Sequence, residues 1–114
     1  MGTQKREIIQ HLLNCVAECE HCITACLNEE DAAAFAHCIA LNRDCMDICS
    51  QSDRLLQRDS EIAYQFLVLC EEVCRKCAEE CKKHAQHDHC QQCADACLKC
   101  ADACHAHHQP ITQD

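Results

Sequence analysis

The sequence predicts an all-α fold, an antiparallel up-down-up-down four-helix bundle with a cysteine-lined core. Three observations predict it. The spacing C-x3-C-x2-C-x3-C recurs at Cys15, Cys19, Cys22, Cys26, at Cys70, Cys74, Cys77, Cys81 and at Cys93, Cys97, Cys100, Cys104, with a variant copy at Cys38, Asn42, Cys45, Cys49. Steps of four, three and four residues keep each set on one face of an α-helix, because a turn takes about 3.6 residues. One glycine and one proline in 114 residues leave few helix breakers, and the connections between the four periodic segments are short, which makes neighbouring helices antiparallel.

The first helix is expected from about Thr3 to Leu27, with Asn28-Glu29-Glu30-Asp31 as the turn and acidic start of the next. The second runs from about Asp31 past Cys49, to near Leu56. Asp59 or Ser60 is the expected cap of the third, with Glu61 in its first turn complementing the helix dipole, and that helix reaches about His84. The fourth starts near Gln86–Asp88 and fades before Pro110. The whole of 1–114 is expected to be one domain, since its length supports one modest core.

Reading the copies in alternating directions stacks the cysteines into layers. Cys26 to Cys38 and Cys81 to Cys93 are both 12 residues, so those two hairpins close at the same end, whereas Cys49 to Cys70 is 21 and the helices extend further at the opposite end. The expected layers are Cys15, Cys49, Cys70, Cys104; then Cys19, Cys45, Cys74, Cys100; then Cys22, Asn42, Cys77, Cys97; then Cys26, Cys38, Cys81, Cys93. Cys90 stands alone beyond the last layer. Ile8, Leu12, Leu56, Ile62, Phe66 and Leu67 continue the stripe as an apolar plug at the long end. His84 and His87 extend it at the short end, which reads as a polar mouth through which ions enter.

Charge and motifs remove several function classes. A formal net charge of −9, from 19 acidic and 10 basic residues, argues against nucleic acid and anionic membrane as partners. No apolar run long enough to span a bilayer is present, and MGTQKREIIQ lacks the features of an export signal, so a cytosolic protein with reduced thiols is expected. No phosphate-binding loop, dinucleotide turn or serine-elbow motif appears, and no Cys/His pair is specific enough among sixteen thiols to read as catalytic. The expectation is a protein that is not an enzyme.

Four uses of the thiols compete. Cβ atoms three or four residues apart on a helix lie about 5–6 Å from each other, too far for the about 3.5–4.5 Å of a disulfide, so bridges within a helix would be strained. Zinc favours closed tetrahedral sites on loops and knuckles, whereas these stripes are continuous. Iron–sulfur clusters want backbone donors around the sulfurs, which helix interiors do not supply. Copper(I) is soft, selects thiolates and tolerates low coordination numbers, and each bound ion offsets one thiolate charge. A zinc thiolate buffer and a thiol redox or disulfide-exchange protein stand as the alternatives to a copper(I) store.

The stretch CEEVCRKCAEECKKHAQHDHCQQCADACLKCADAC, with the cysteine-lined helices around it, resembles the bacterial copper storage proteins, and the absence of an export signal resembles their cytosolic branch. The likeness covers about residues 15–104. It implies a four-helix bundle holding multiple copper(I) ions on its cysteines, assembled as a homotetramer, that stores or sequesters metal and transforms no substrate. The second helix departs from the pattern with three cysteines and an asparagine.

The expected metal ligands are thus the sixteen cysteines, with Asn42, His84 and His87 as further candidates. Asn42 either fills a polar gap or lends a side-chain oxygen to a three-thiol layer. His21, His37, His89 and His105 adjoin cysteines and read as solvated positions off the stripe. His11, His107 and His108 read as surface or packing residues, Met46 as packing. Ile9, Leu13, Val16, Ile23 and Leu27 form a second apolar stripe, expected to widen the buried face or meet another subunit.

Overall fold

The computed structural model describes residues 3–108, and the expected end of the last helix before Pro110 lies outside the described residues. Four helices follow in order: α1 Thr3–Leu27, α2 Ala36–Gln57, α3 Ala63–Lys82 and α4 Asp88–His108. Each packs against two others, α1 on α2 and α4, and α3 on α2 and α4. That closes the ring of an antiparallel bundle, 52 Å along its longest axis, as the spacing predicts.

The connections explain where each helix stops. Asn28 ends α1 by folding its side-chain amide back onto the Thr24 carbonyl at 3.1 Å. The chain then makes a short 3-10 segment, Ala32–Phe35, before α2, so the second helix starts five residues later than expected. At the far end Asp59 sits in the left-handed region at φ 52°. Its N–H bonds the Leu56 carbonyl at 3.1 Å, and the Ser60 N–H bonds that of Leu55 at 2.9 Å. This pair of bonds closes the C-terminus of α2, a position glycine normally fills and aspartate tolerates. Asp59 therefore ends the second helix rather than starting the third, and α3 begins at Ala63. Ile62, expected in the plug, is in the turn and 43 % exposed. Lys5 near the start of α1 pairs with Asp59 across this end.

The core is a column of sulfur closed at the long end by aliphatic side chains. All sixteen cysteines are fully buried and none is in a disulfide. Ile8, Leu12, Leu56 and Leu67 seal the long end as expected, joined by Leu55. Thiols pack as small apolar groups, so the inward face of every helix is effectively hydrophobic while its outward face carries the charge. Ile23 of the second apolar stripe is buried, Ile9 and Val16 are half-buried, and Leu13 and Leu27 are exposed.

Candidate metal centre

The layers expected from residue counting hold between α2 and α3. Cys49 lies 3.6 Å from Cys70, Cys45 3.6 Å from Cys74, and Cys38 3.6 Å from Cys81. α1 and α4 depart from them: Cys49 lies 4.0 Å from Cys100 of the next expected layer, and Cys77 shares a set with Cys93. Cys15 lies 3.6 Å from Cys45 and 3.7 Å from Cys97, and Cys19 lies 3.8 Å from Cys93, so these α1 thiols meet partners one or two expected layers nearer the short end. Side chains of packed helices interleave instead of meeting level.

The offset replaces flat layers by overlapping sets. Cys15, Cys49, Cys74 and Cys100 have their sulfurs within 4.8 Å of one another, as do Cys15, Cys19, Cys45 and Cys97, then Cys19, Cys77, Cys93 and Cys97, then Cys22, Cys81 and Cys93. Cys22, Cys26, Cys38 and Cys90 form another such set, so Cys90 does not stand alone. Consecutive sets share members: Cys15, Cys19, Cys22, Cys93 and Cys97 each belong to at least two. Adjacent sulfurs are 3.6–4.0 Å apart, close to the ~4 Å edge of a trigonal sulfur set with bonds of ~2.3 Å.

Asn42 is completely buried among thiols. Its Oδ1 accepts hydrogen bonds from Cys77 at 2.9 Å and Cys93 at 3.1 Å, while its Nδ2 donates to Cys38 at 3.7 Å. The partners of this polar group are thiols on three helices, and its oxygen points where a fourth sulfur would otherwise stand.

The short end differs most from expectation. Its centre is apolar: Phe35 is 2 % exposed, with its ring 4.7 Å from that of His84, 5.2 Å from His87 and 6.2 Å from His89. His84 turns to Glu80 at 3.4 Å and His87 to Glu29 at 3.3 Å. His89, read from its neighbour Cys90 as a solvated position, is turned inward instead. Its Nδ1 lies 3.8 Å from both Cys22 and Cys26 and 3.5 Å from Cys90, and its Nε2 meets Glu29 at 3.0 Å. The missed signal is the step to Cys93: Cys90 precedes it by three residues and His89 by four, and both steps fall within about one helical turn of the stripe.

Ionisation is uneven around this end. Hydrogen bonds with Cys38, Cys81 and Cys93 hold the Cys22 thiol well below its ordinary pKa, with His89 adding to them against the opposing effect of burial. Burial and the charge on Cys22 push Cys26 up to about 12. Burial opposes a charge on His89, but its bonds to Cys22 and Glu29 prevail and raise its pKa. The alternation continues inward, where hydrogen bonds with neighbouring thiols lower Cys15 and Cys77 and raise Cys19 and Cys81. A thiolate is stabilised by the S–H groups around it and in turn keeps them protonated, so a metal ion entering such a core displaces protons step by step.

The comparisons agree with this geometry. The family model described as "Copper storage protein" matches residues 1–109. A cysteine-rich protein of Bacillus subtilis, YhjQ, is 41 % identical over 69 residues, which cover 60 % of this chain and 64 % of that protein's length. Among solved structures, the Cu(I)-bound copper storage protein BsCsp3 superposes with a TM-score of 0.87 at 38 % identity, over 91 % of this chain and 97 % of that one. A cytosolic copper storage protein from Streptomyces lividans carrying five coppers gives a TM-score of 0.91 at 32 % identity, over 96 % of this chain and 95 % of that one.

Proposed function

We propose that this chain, which belongs to the copper storage protein family, stores many copper(I) ions on its buried thiolates and so sequesters them in the cytosol. The observation that carries the reading is the sharing of thiols between consecutive sets, with Cys15, Cys19, Cys22, Cys93 and Cys97 each in at least two. Shared thiolates bridge metal ions, which suits a soft monovalent ion of low coordination number. They suit closed, separate zinc tetrahedra poorly. Charge supports the same choice. Sixteen buried thiolates would be untenable alone, and one copper(I) per thiolate brings the core to neutrality.

The sixteen cysteines are the proposed ligands, with the Asn42 oxygen completing a site among Cys77, Cys93 and Cys38. Uptake is proposed at the short end, where His89 beside Cys22, Cys26 and Cys90 is the first imidazole–thiol site, while His84 and His87 line the approach beside Glu80 and Glu29. The role is storage without turnover, in a chain that forms one domain. Homotetrameric assembly belongs to the same reading and is supported by exposed apolar side chains such as Leu13, Tyr64, Val68 and Leu69.

Anaerobic titration of the reduced protein with copper(I) tests the reading. Saturation near or above one ion per thiol, of which there are sixteen, is expected. Saturation at about four ions with zinc(II) outcompeting copper(I) would support separate zinc tetrahedra instead. A redox role would appear as reversible disulfides in protein purified without reductant.

A further inference from the structure

The last turn of α4 carries His105 and His108 three residues apart, and both rings converge on one oxygen of Glu71 from α3. The Nδ1 of His105 lies 3.2 Å from Glu71 Oε1, and the Nε2 of His108 lies 2.7 Å from the same atom. The other carboxylate oxygen is engaged: Arg75 reaches Glu71 Oε2 at 2.9 Å and holds Asp102 at 3.2 Å. The carboxylate is thereby fixed with Oε1 aimed between the two imidazoles, whose ring centroids are 5.6 Å apart.

We propose that Glu71, His105 and His108 form a second metal site, for one divalent cation of the zinc(II), nickel(II) or copper(II) type, distinct from the thiol core. Ligands bound at about 2.0–2.2 Å stand roughly 3–3.5 Å from one another around a metal, so the 2.7 and 3.2 Å contacts need only small adjustments to admit an ion. Two imidazoles and a carboxylate are ligands for borderline divalent ions, whereas copper(I) goes to thiolate. Three protein ligands leave a coordination position for water. A net charge of −9 favours a cation at the surface.

The site is outside the store although it shares its helices. Glu71 follows Cys70 and His105 follows Cys104 in the chain, but the two cysteines are fully buried while the side chain of His105 is 53 % exposed. A bound ion would pin the final turn of α4 to α3 beside the terminal thiols Cys70 and Cys104. Binding to the folded state alone raises its stability by mass action.

The test compares zinc(II) binding by the parent and by the His105→Ala/His108→Ala protein, both saturated with copper(I) so that the thiols are occupied. The expected result is one more zinc(II) ion per chain in the parent than in the variant, accompanied by a rise in melting temperature on zinc(II) addition that the variant lacks. His21→Ala/His37→Ala should behave as the parent. Glu71→Gln should weaken binding at least about tenfold, as the loss of one of three ligands requires. Equal zinc(II) stoichiometry and affinity in parent and double variant would overturn the site and leave Glu71 as the centre of an ion-pair cluster only. Copper(I) capacity and helical circular dichroism verify that the variants fold, with His108→Gln as the milder substitution. The same comparison on copper-free protein should still differ by one zinc(II) ion, so failure of copper storage and failure of this site give different results.

Discussion

Asn42 accepts a hydrogen bond from the Cys77 thiol at 2.9 Å in the middle of the sulfur column. A fully buried amide survives there because thiols on three helices serve both its oxygen and its nitrogen. Buried polar groups are costly only when unpaired. Truncating the residue removes these bonds and opens a cavity beside Cys38, Cys77 and Cys93. Asn42→Ala is therefore expected to destabilise the reduced, copper-free protein by about 1–3 kcal/mol, read by guanidinium denaturation. Asn42→Cys restores the interrupted spacing and should raise copper(I) capacity by about one ion if soft ligands set the capacity. Unchanged stability in the alanine variant would mean that the amide contributes no net interaction.

His89 joins Cys22, Cys26 and Cys90 to Glu29, which makes it the imidazole most closely tied to the thiol column at the short end. His89→Ala should slow copper(I) uptake while leaving the deep thiols filled, so final capacity falls by no more than about one ion. Glu29→Gln removes the carboxylate that orients the ring, and such partners are worth about 10–100-fold in affinity. Stopped-flow loading from a weak copper(I) chelator separates rate from capacity. Parent-like kinetics in both variants would place uptake elsewhere.

Periodicity makes the bundle and the thiol stripes legible, because a 4-3-4 repeat has one geometric solution on a helix. Heights across helices are less legible. Cys15 meets Cys45 and Cys97 as well as its expected neighbour Cys49, since counting along one chain does not report how neighbouring side chains interleave. Asp59 shows the same limit at the backbone: a residue suited to start a helix is equally suited to end one at φ 52°. His89 escapes a reading of the sequence for a different reason. Its adjacency to Cys90 suggests the wrong face, whereas both residues precede Cys93 by about one turn and both reach the column. Phe35 carries no periodic signal, being placed by a 3-10 segment.

Phe35 is the apolar centre of an otherwise polar end, buried beneath His84, His87 and His89. Removing the ring exposes the thiols below it and deprives three imidazoles of their packing surface. Phe35→Ala is expected to cost about 3 kcal/mol in the copper-free protein, at the lower end for core aromatics because the ring lies at the bundle's rim. Removal of copper(I) by a strong chelator should become faster at the same time. Phe35→Leu should retain much of the stability and slow the removal again. Faster chelation without any loss of stability would separate the ring's effect on copper(I) release from its packing.

Asp59 closes α2 in the left-handed conformation and pairs with Lys5 of α1, so its backbone and charge roles need separate tests. The substitution Asp59→Asn keeps the tolerance for positive φ and removes the charge. The hydrogen bond and charge of Lys5 hold the Asp59 carboxyl below its usual value of 3.8. A carboxyl with a depressed folded-state pKa adds stability above its unfolded pKa and loses it as pH falls through the folded one. The melting temperature of the parent should thus exceed that of Asp59→Asn near neutral pH, and the gap should close below the unfolded value of 3.8. The carboxylate is exposed, so the gap should be small and shrink with added salt. Scanning calorimetry on reduced, copper-free protein at about pH 6 and about pH 2.5 brackets that window. A gap of the same size at both values would assign the effect to the turn backbone and leave the ion pair without influence on stability.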